Sequence, residues 1–145
     1  IFQLYEPLRE KELTEKVMPY EDTLDKYLLE RYEKVSALFG VEQHITEEEI
    51  KKVVEVAEQR NDIESLKALG KLSNKLFPNS LAGTFYLAQY AEKKGKRKKA
   101  KKLYESALEL EDVAHINKDY IFSKIEDLSV TDTDESNELN DYEEN

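Results

Sequence analysis

The chain has 145 residues, 32 acids against 22 bases, a net charge of −10, no cysteine, no tryptophan, and only 4 glycines and 3 prolines. That length suits one domain and falls short of a typical ~250-residue barrel or most complete α/β hydrolases. Lack of cysteine excludes disulfides, thiolate metal ligands and a cysteine nucleophile; the scarcity of turn formers argues against an all-β fold, and no apolar run approaches the ~18 residues of a membrane span.

Residues 1–20 are ambiguous. Ile1, Phe2, Leu4, Tyr5 and Leu8 are apolar, but Pro7 interrupts them and Pro19 ends whatever follows. The chain opens without a charged n-region and apolar h-region, which predicts a fragment or processed product of a longer chain. From Asp22 a helical period runs through Leu24, Tyr27, Leu28, Val35, Leu38 and Phe39, with Gly40 as its left-handed stop. Thr46 and Glu49 have capping-box spacing, and Ile50, Val53, Val54 and Ala57 form the stripe of the next helix. Asn61-Asp62 is a turn and an N-cap. Ile63, Leu66, Leu69, Ser73, Leu76 and Phe77 continue the period until Pro78-Asn79-Ser80 stops it and caps again. Leu81, Phe85, Leu87, Ala88 and Ala91 lead to a turn at Gly95. Ala100, Leu103, Tyr104, Ala107 and Leu110 follow, then Ile116, Tyr120, Ile121, Ile125 and Leu128. No segment alternates as a strand does. The fold class expected is all-α with six or seven helices, and the helical domain spans 21–128.

Charge is unevenly placed. Residues 129–145 hold seven acids and no base, leaving −3 on the other 128 residues, and this tail is expected to be disordered. Lys93 to Lys102 holds eight bases in ten residues. That run reads either as an anion or nucleic-acid patch or as a solvated helix–turn–helix corner. No aromatic side chain interleaves with the bases to stack nucleobases, so nucleic acid is disfavoured.

Leu87-Ala88, Ala91, Gly95, Ala100, Tyr104 and Ala107 carry a repeat signature. In spacing, this stretch resembles a tetratricopeptide repeat, where small residues let two paired helices cross closely. It departs from the pattern at Thr84 (tryptophan is typical), at Ala91 (an aromatic is typical, and Tyr90 is adjacent) and at Asp112 (proline is typical). A 34-residue shift, the period of that family, gives a weaker copy: Val53-Val54, Ala57, Asn61, Ser73 and Pro78. Leu66 and Gly70 replace its alanine–aromatic pair. The resemblance implies two helical hairpins over 47–80 and 81–114 in a right-handed superhelix, flanked by capping helices.

A second resemblance rests on Ile1 to Tyr5, Tyr27 to Ser36 running into Leu38-Phe39-Gly40, Phe77 to Ser80, and Tyr104 to Leu110. Together these resemble the C-terminal region of bacterial proteins in which an α/β-hydrolase (esterase-type) domain precedes tetratricopeptide-like helices. The resemblance implies that residues 1–20 end an upstream domain and that the protein is exported.

The chemistry of such a hydrolase is not expected in this chain. No pair of Gly40, Gly70, Gly83 and Gly95 brackets a serine as a nucleophile elbow requires. His44 and His115 are the only histidines and read as surface or capping residues. No catalytic residue, metal ligand or cofactor is expected.

Function is therefore sought in binding. By resemblance, the first helix of each pair lines a groove, placing Lys51, Lys52, Glu55 and Gln59 in the first copy and Phe85, Tyr86, Gln89 and Lys93 in the second. Glu55 and Tyr86 stand where a clamp for a chaperone's terminal carboxylate needs asparagines, so that partner is excluded. Phe85 and Tyr86 read either as an aromatic anchor or as core packing. Three roles follow: an accessory interaction domain serving an upstream hydrolase in cis, a free-standing peptide-binding module acting in trans, and, ranked last, an anion or nucleic-acid binder through Lys93–Lys102. The partner expected is a protein or peptide, with no membrane, and nucleic acid is disfavoured.

Overall fold

The structure, a computed structural model, describes residues 23–130, so the N-terminal segment and the tail from 131 onward lie outside the described residues. Six helices make up the fold there: α1 (Leu24–Phe39), α2 (Glu47–Gln59), α3 (Ile63–Leu76), α4 (Leu81–Lys93), α5 (Arg97–Ala107) and α6 (Lys118–Val130). Among the described residues there is no strand, only an isolated parallel bridge between Ser80 and Glu111. The chain divides into two compact units between Leu69 and Gly70.

In the first unit, α1 buries Leu24, Leu28 and Tyr32, one residue per turn, and ends at Gly40 with φ +70°. Leu38, expected in that stripe, is exposed, while Val35 and Phe39 are half-buried, so the apolar face fades over the last two turns. Thr46 caps α2, its Oγ1 accepting the Glu49 N–H at 3.2 Å. Glu47, Glu48 and Glu49 sit at the positive end of the helix dipole, and Ile50, Val53, Val54, Val56 and Ala57 are buried.

A three-residue clasp ties α1 to the start of α3. Asp62 Oδ1 accepts the Ser65 N–H at 3.1 Å, and the Ser65 hydroxyl donates to Asp62 Oδ2 at 2.6 Å. The fully buried Ser65 Oγ in turn accepts the Leu24 N–H at 2.9 Å. Ser65→Ala leaves that backbone donor without its acceptor, at a cost of about 1–3 kcal/mol. Hydrogen exchange at the Leu24 amide should accelerate roughly 5- to 150-fold in this variant; an unchanged rate contradicts the clasp.

The two turns that follow α2 and α4 are copies. Three of the four helix bounds recur 34 residues later, Glu47 and Leu81, Gln59 and Lys93, Ile63 and Arg97, while α3 ends at Leu76 and α5 already at Ala107, three residues short of that period. The hydrogen bonds of the turns recur as well. The Asn61 N–H reaches the Glu58 carbonyl at 3.1 Å and Asp62 reaches Ala57 at 2.8 Å; Gly95 reaches Glu92 at 3.0 Å and Lys96 reaches Ala91 at 2.9 Å. Both are Schellman motifs, with the left-handed residue supplied by Asn61 (φ +55°) and Gly95 (φ +82°). Asparagine is the residue that tolerates this conformation best after glycine, which is why the two turns match despite different side chains.

In the second unit, α4 packs on α5 and α5 on α6. Ala88, Ala91, Ala100 and Ala107 are all at most 1% exposed, and such small side chains let helix axes approach. Ser80 caps α4 through the Ala82 N–H at 3.4 Å. The hairpin is closed at its open end by two backbone bonds, Leu81 N–H to the Glu111 carbonyl at 2.8 Å and Glu111 N–H to the Asn79 carbonyl at 3.1 Å. The last turns of α3 approach α4 at two glycines. A Cβ on Gly83 would stand 2.8 Å from the Asn74 backbone nitrogen, and one on Gly70 would stand 2.9 Å from the Leu87 side chain. Asp112 Oδ1 accepts the Ile116 N–H at 2.6 Å in the loop before α6, where His115 is left-handed at φ +58°.

Candidate functional site

Residues from α4, α5 and α6 converge on one cluster in the second unit. Phe85 lies at its centre, with ring centroids 5.9 Å from Tyr86, 6.0 Å from Tyr104 and 6.0 Å from Tyr120, each in an edge-to-face arrangement. A polar layer abuts the rings. The Tyr104 hydroxyl donates to Glu92 Oε1 at 2.9 Å, Lys124 Nζ donates to Glu92 Oε2 at 2.7 Å, and Nζ lies 5.6 Å from the Tyr120 ring centroid. One carboxylate thus binds α4 to α5 through a phenol and to α6 through an ammonium.

The hydrogen bond and charge of Glu92 hold the Lys124 ammonium above its usual range, against the opposing effect of burial. A lysine raised in the folded state contributes stability that is present in full below its unfolded value, near 10.5, and is lost as pH climbs through the folded value. Both side chains are about one-quarter exposed, so the pair supplies about 0.2–1 kcal/mol. The urea midpoint of Lys124→Met should lie below that of the parent at pH 7, and the gap should narrow at pH 11. A gap that is the same at both values contradicts the pairing.

The candidate residues are placed as follows. Lys51 and Lys52 are half-buried on α2, and Glu55 and Gln59 are exposed on the same helix. On α4, Gln89 is half-buried with its Oε1 enclosed and without a hydrogen-bond partner, and Lys93 is exposed at the last residue. Phe85 and Tyr86 are 7% and 2% exposed. Of the two readings of that pair, packing is the one their burial supports. Glu92 and Lys124 were not singled out from sequence. They lie 32 residues apart, and no local spacing signals a partnership at that range. His44 and His115 are exposed, and among the described residues no group of three or more His, Asp or Glu gathers as a metal site. None of the described helices is long and apolar enough to cross a membrane.

The basic run divides at the Gly95 turn. Lys93, Lys94 and Lys102 are exposed, Arg97, Lys98, Lys99 and Lys101 half-buried, and Lys96 buried. Lys96, Arg97, Lys98, Lys99 and Lys102 all have interaction partners, so the run is not an uncompensated patch.

No family model and no curated protein matches this sequence. A crystal structure of an uncharacterised protein from Capnocytophaga ochracea DSM 7271 does match, with a TM-score of 0.77 and 28% identity over 90% of this chain. The chain spans 36% of the length of that protein.

Proposed function

We propose that this chain is a non-catalytic, tetratricopeptide-like helical-repeat domain that works by holding a polypeptide surface in cis, alongside a hydrolase (esterase-type) domain of one longer protein. The observation that carries this reading is the 34-residue recurrence of three helix bounds and of both Schellman bonds in the α2–α3 and α4–α5 hairpins. A repeated hairpin offers repeated inner-helix positions for side chains that meet a partner. On α2 these are Lys51, Lys52 and Glu55; on α4 they are Gln89 and Lys93. Phe85 and Tyr86 then support α4 from within. The hydrolase context comes from the resemblance at residues 1–5 and 27–40. A fold-level likeness to a protein of which this chain covers 36% is compatible with a domain of a larger chain.

The reading is tested by titrating the ¹⁵N-labelled chain with the separately purified remainder of its native polypeptide. Shifts at the inner-face residues of α2 or α4 are expected, and the chain by itself should hydrolyse p-nitrophenyl acetate no faster than buffer. Turnover above buffer, or a native polypeptide with no further domain, overturns the cis accessory role.

A further inference from the structure

The 34-residue period continues into α6. It sets Phe85, Ala88 and Glu92 of α4 against Asp119, Phe122 and Glu126. On α4 these residues form one stripe, at i, i+3 and i+7, and the stripe faces α5. Phe85 meets the Tyr104 ring and Glu92 accepts the Tyr104 hydroxyl, with Ala88 between them at 0% exposure. A neighbouring position also corresponds: Ile121 is as fully buried as Val53, two periods earlier on α2. The first turn departs, because left-handed His115 (φ +58°) interrupts it and the helix starts at Lys118. On α6 the copied stripe lies open. Asp119 and Glu126 are exposed, and Phe122 is 57% exposed. The outer face of a terminal helix in a repeat stack is ordinarily polar, so a phenylalanine in the middle of it is out of keeping with a simple cover.

We infer that this stripe of α6 docks an amphipathic, basic α-helix of a partner protein, which packs on α6 as α5 packs on α4. Phe122 supplies the apolar anchor. Asp119 and Glu126, one on either side of it, accept hydrogen bonds from lysine, arginine or tyrosine side chains. Charge selects this occupant. The exposed residues of α6 include the acids Asp119, Glu126 and Asp127 against a single base, Lys118, and the chain as a whole carries −10. A basic helix is therefore drawn in, while a second copy of this chain is repelled. Shape adds a further condition. Where α4 has the small Ala88, α6 has the bulky Phe122, so the partner needs small residues opposite it, of the kind α5 carries at Ala100 and Ala107. The inference rests on the 34-residue repeat and is independent of a hydrolase domain in cis.

The test titrates the ¹⁵N-labelled full chain with a synthetic peptide of residues 97–110, the sequence of α5 and the turn after it, and with a scrambled peptide of the same composition. The α5 peptide should saturate and shift amides concentrated at residues 118–129; the scrambled peptide should not. Phe122→Ser, at an exposed position and checked by circular dichroism for unchanged helix content, should weaken binding roughly tenfold. Glu126→Gln should weaken it about threefold and flatten its salt dependence. No saturable binding, equal shifts from both peptides, shifts confined to α2 and α4, or affinity unchanged by Phe122→Ser each overturn the inference. Shifts confined to α2 and α4 would do so while leaving the inner-face reading of the repeat intact. Self-association of the chain that Phe122→Ser abolishes in sedimentation would give the stripe to a second copy and overturn it as well.

Discussion

Tyr104→Ala is expected to lower stability by about 3–5 kcal/mol. The ring is fully buried, meets Phe85 edge-to-face at 6.0 Å, and its hydroxyl donates to Glu92 at 2.9 Å. Truncation opens a cavity between α4 and α5 and also removes a hydrogen bond to a charged acceptor. Tyr104→Phe separates the two contributions. It keeps the ring and loses only the bond, for about 1.5–3 kcal/mol. Urea unfolding of the three proteins reads both numbers. If Tyr104→Phe costs as much as Tyr104→Ala, the packing account of this ring fails.

Gly83→Ala is expected to destabilise, although the same change usually stabilises a helix interior by about 1 kcal/mol. The added Cβ would stand 2.8 Å from the backbone nitrogen of Asn74, and backbone cannot rotate away as a side chain can. The last turns of α3 must therefore move off α4. Overpacking of this kind costs about 1–3 kcal/mol, enough to reverse the gain in propensity, and Gly83→Val should cost more still. Gly70→Ala is the natural comparison. Its nearest obstacle is the Leu87 side chain at 2.9 Å, which can change rotamer, and its backbone obstacle, the Gly83 carbonyl oxygen, is farther off at 3.2 Å, so its loss should be smaller than that of Gly83→Ala. A Gly83→Ala protein more stable than the parent in urea contradicts the close approach.

The helices were legible in the sequence because each one is punctuated locally. Thr46, Ser80, Gly40 and Gly95 act within a turn of their own positions, and all four do what their chemistry suggests. Asn61 was legible for the same reason. The buried stripe of α2 followed from period alone, since Ile50, Val53, Val54 and Ala57 share one face. What escaped was set by tertiary neighbours. The exposure of Leu38 depends on how far the cover over α1 extends, which no residue of α1 encodes. Gly70 read as a departure from the repeat pattern and Gly83 only as a glycine that brackets no serine, yet both mark a close helix crossing. In the candidate site, the residue types were visible while the partnerships were not. Phe85 and Tyr86 stood out as aromatics, but Phe85 packs against Tyr104 and Tyr120, which arrive from other helices. The link from Glu92 to Lys124 spans 32 residues and leaves no local trace. Ser65 had one unused signal, the Asp62-x-x-Ser65 spacing that an N-terminal clasp shares with the capping box.

The central claim is that α2–α3 and α4–α5 are two copies of one 34-residue hairpin. Backbone NMR of the intact chain tests it most directly, through secondary shifts and amide exchange at equivalent turn positions. The account predicts left-handed shifts at both Asn61 and Gly95, with slow exchange at both Asp62 and Lys96, whose amides close the two Schellman motifs. Helical shifts running unbroken through residues 60–62, or an Asp62 amide exchanging at the free-chain rate while Lys96 is protected, would contradict it.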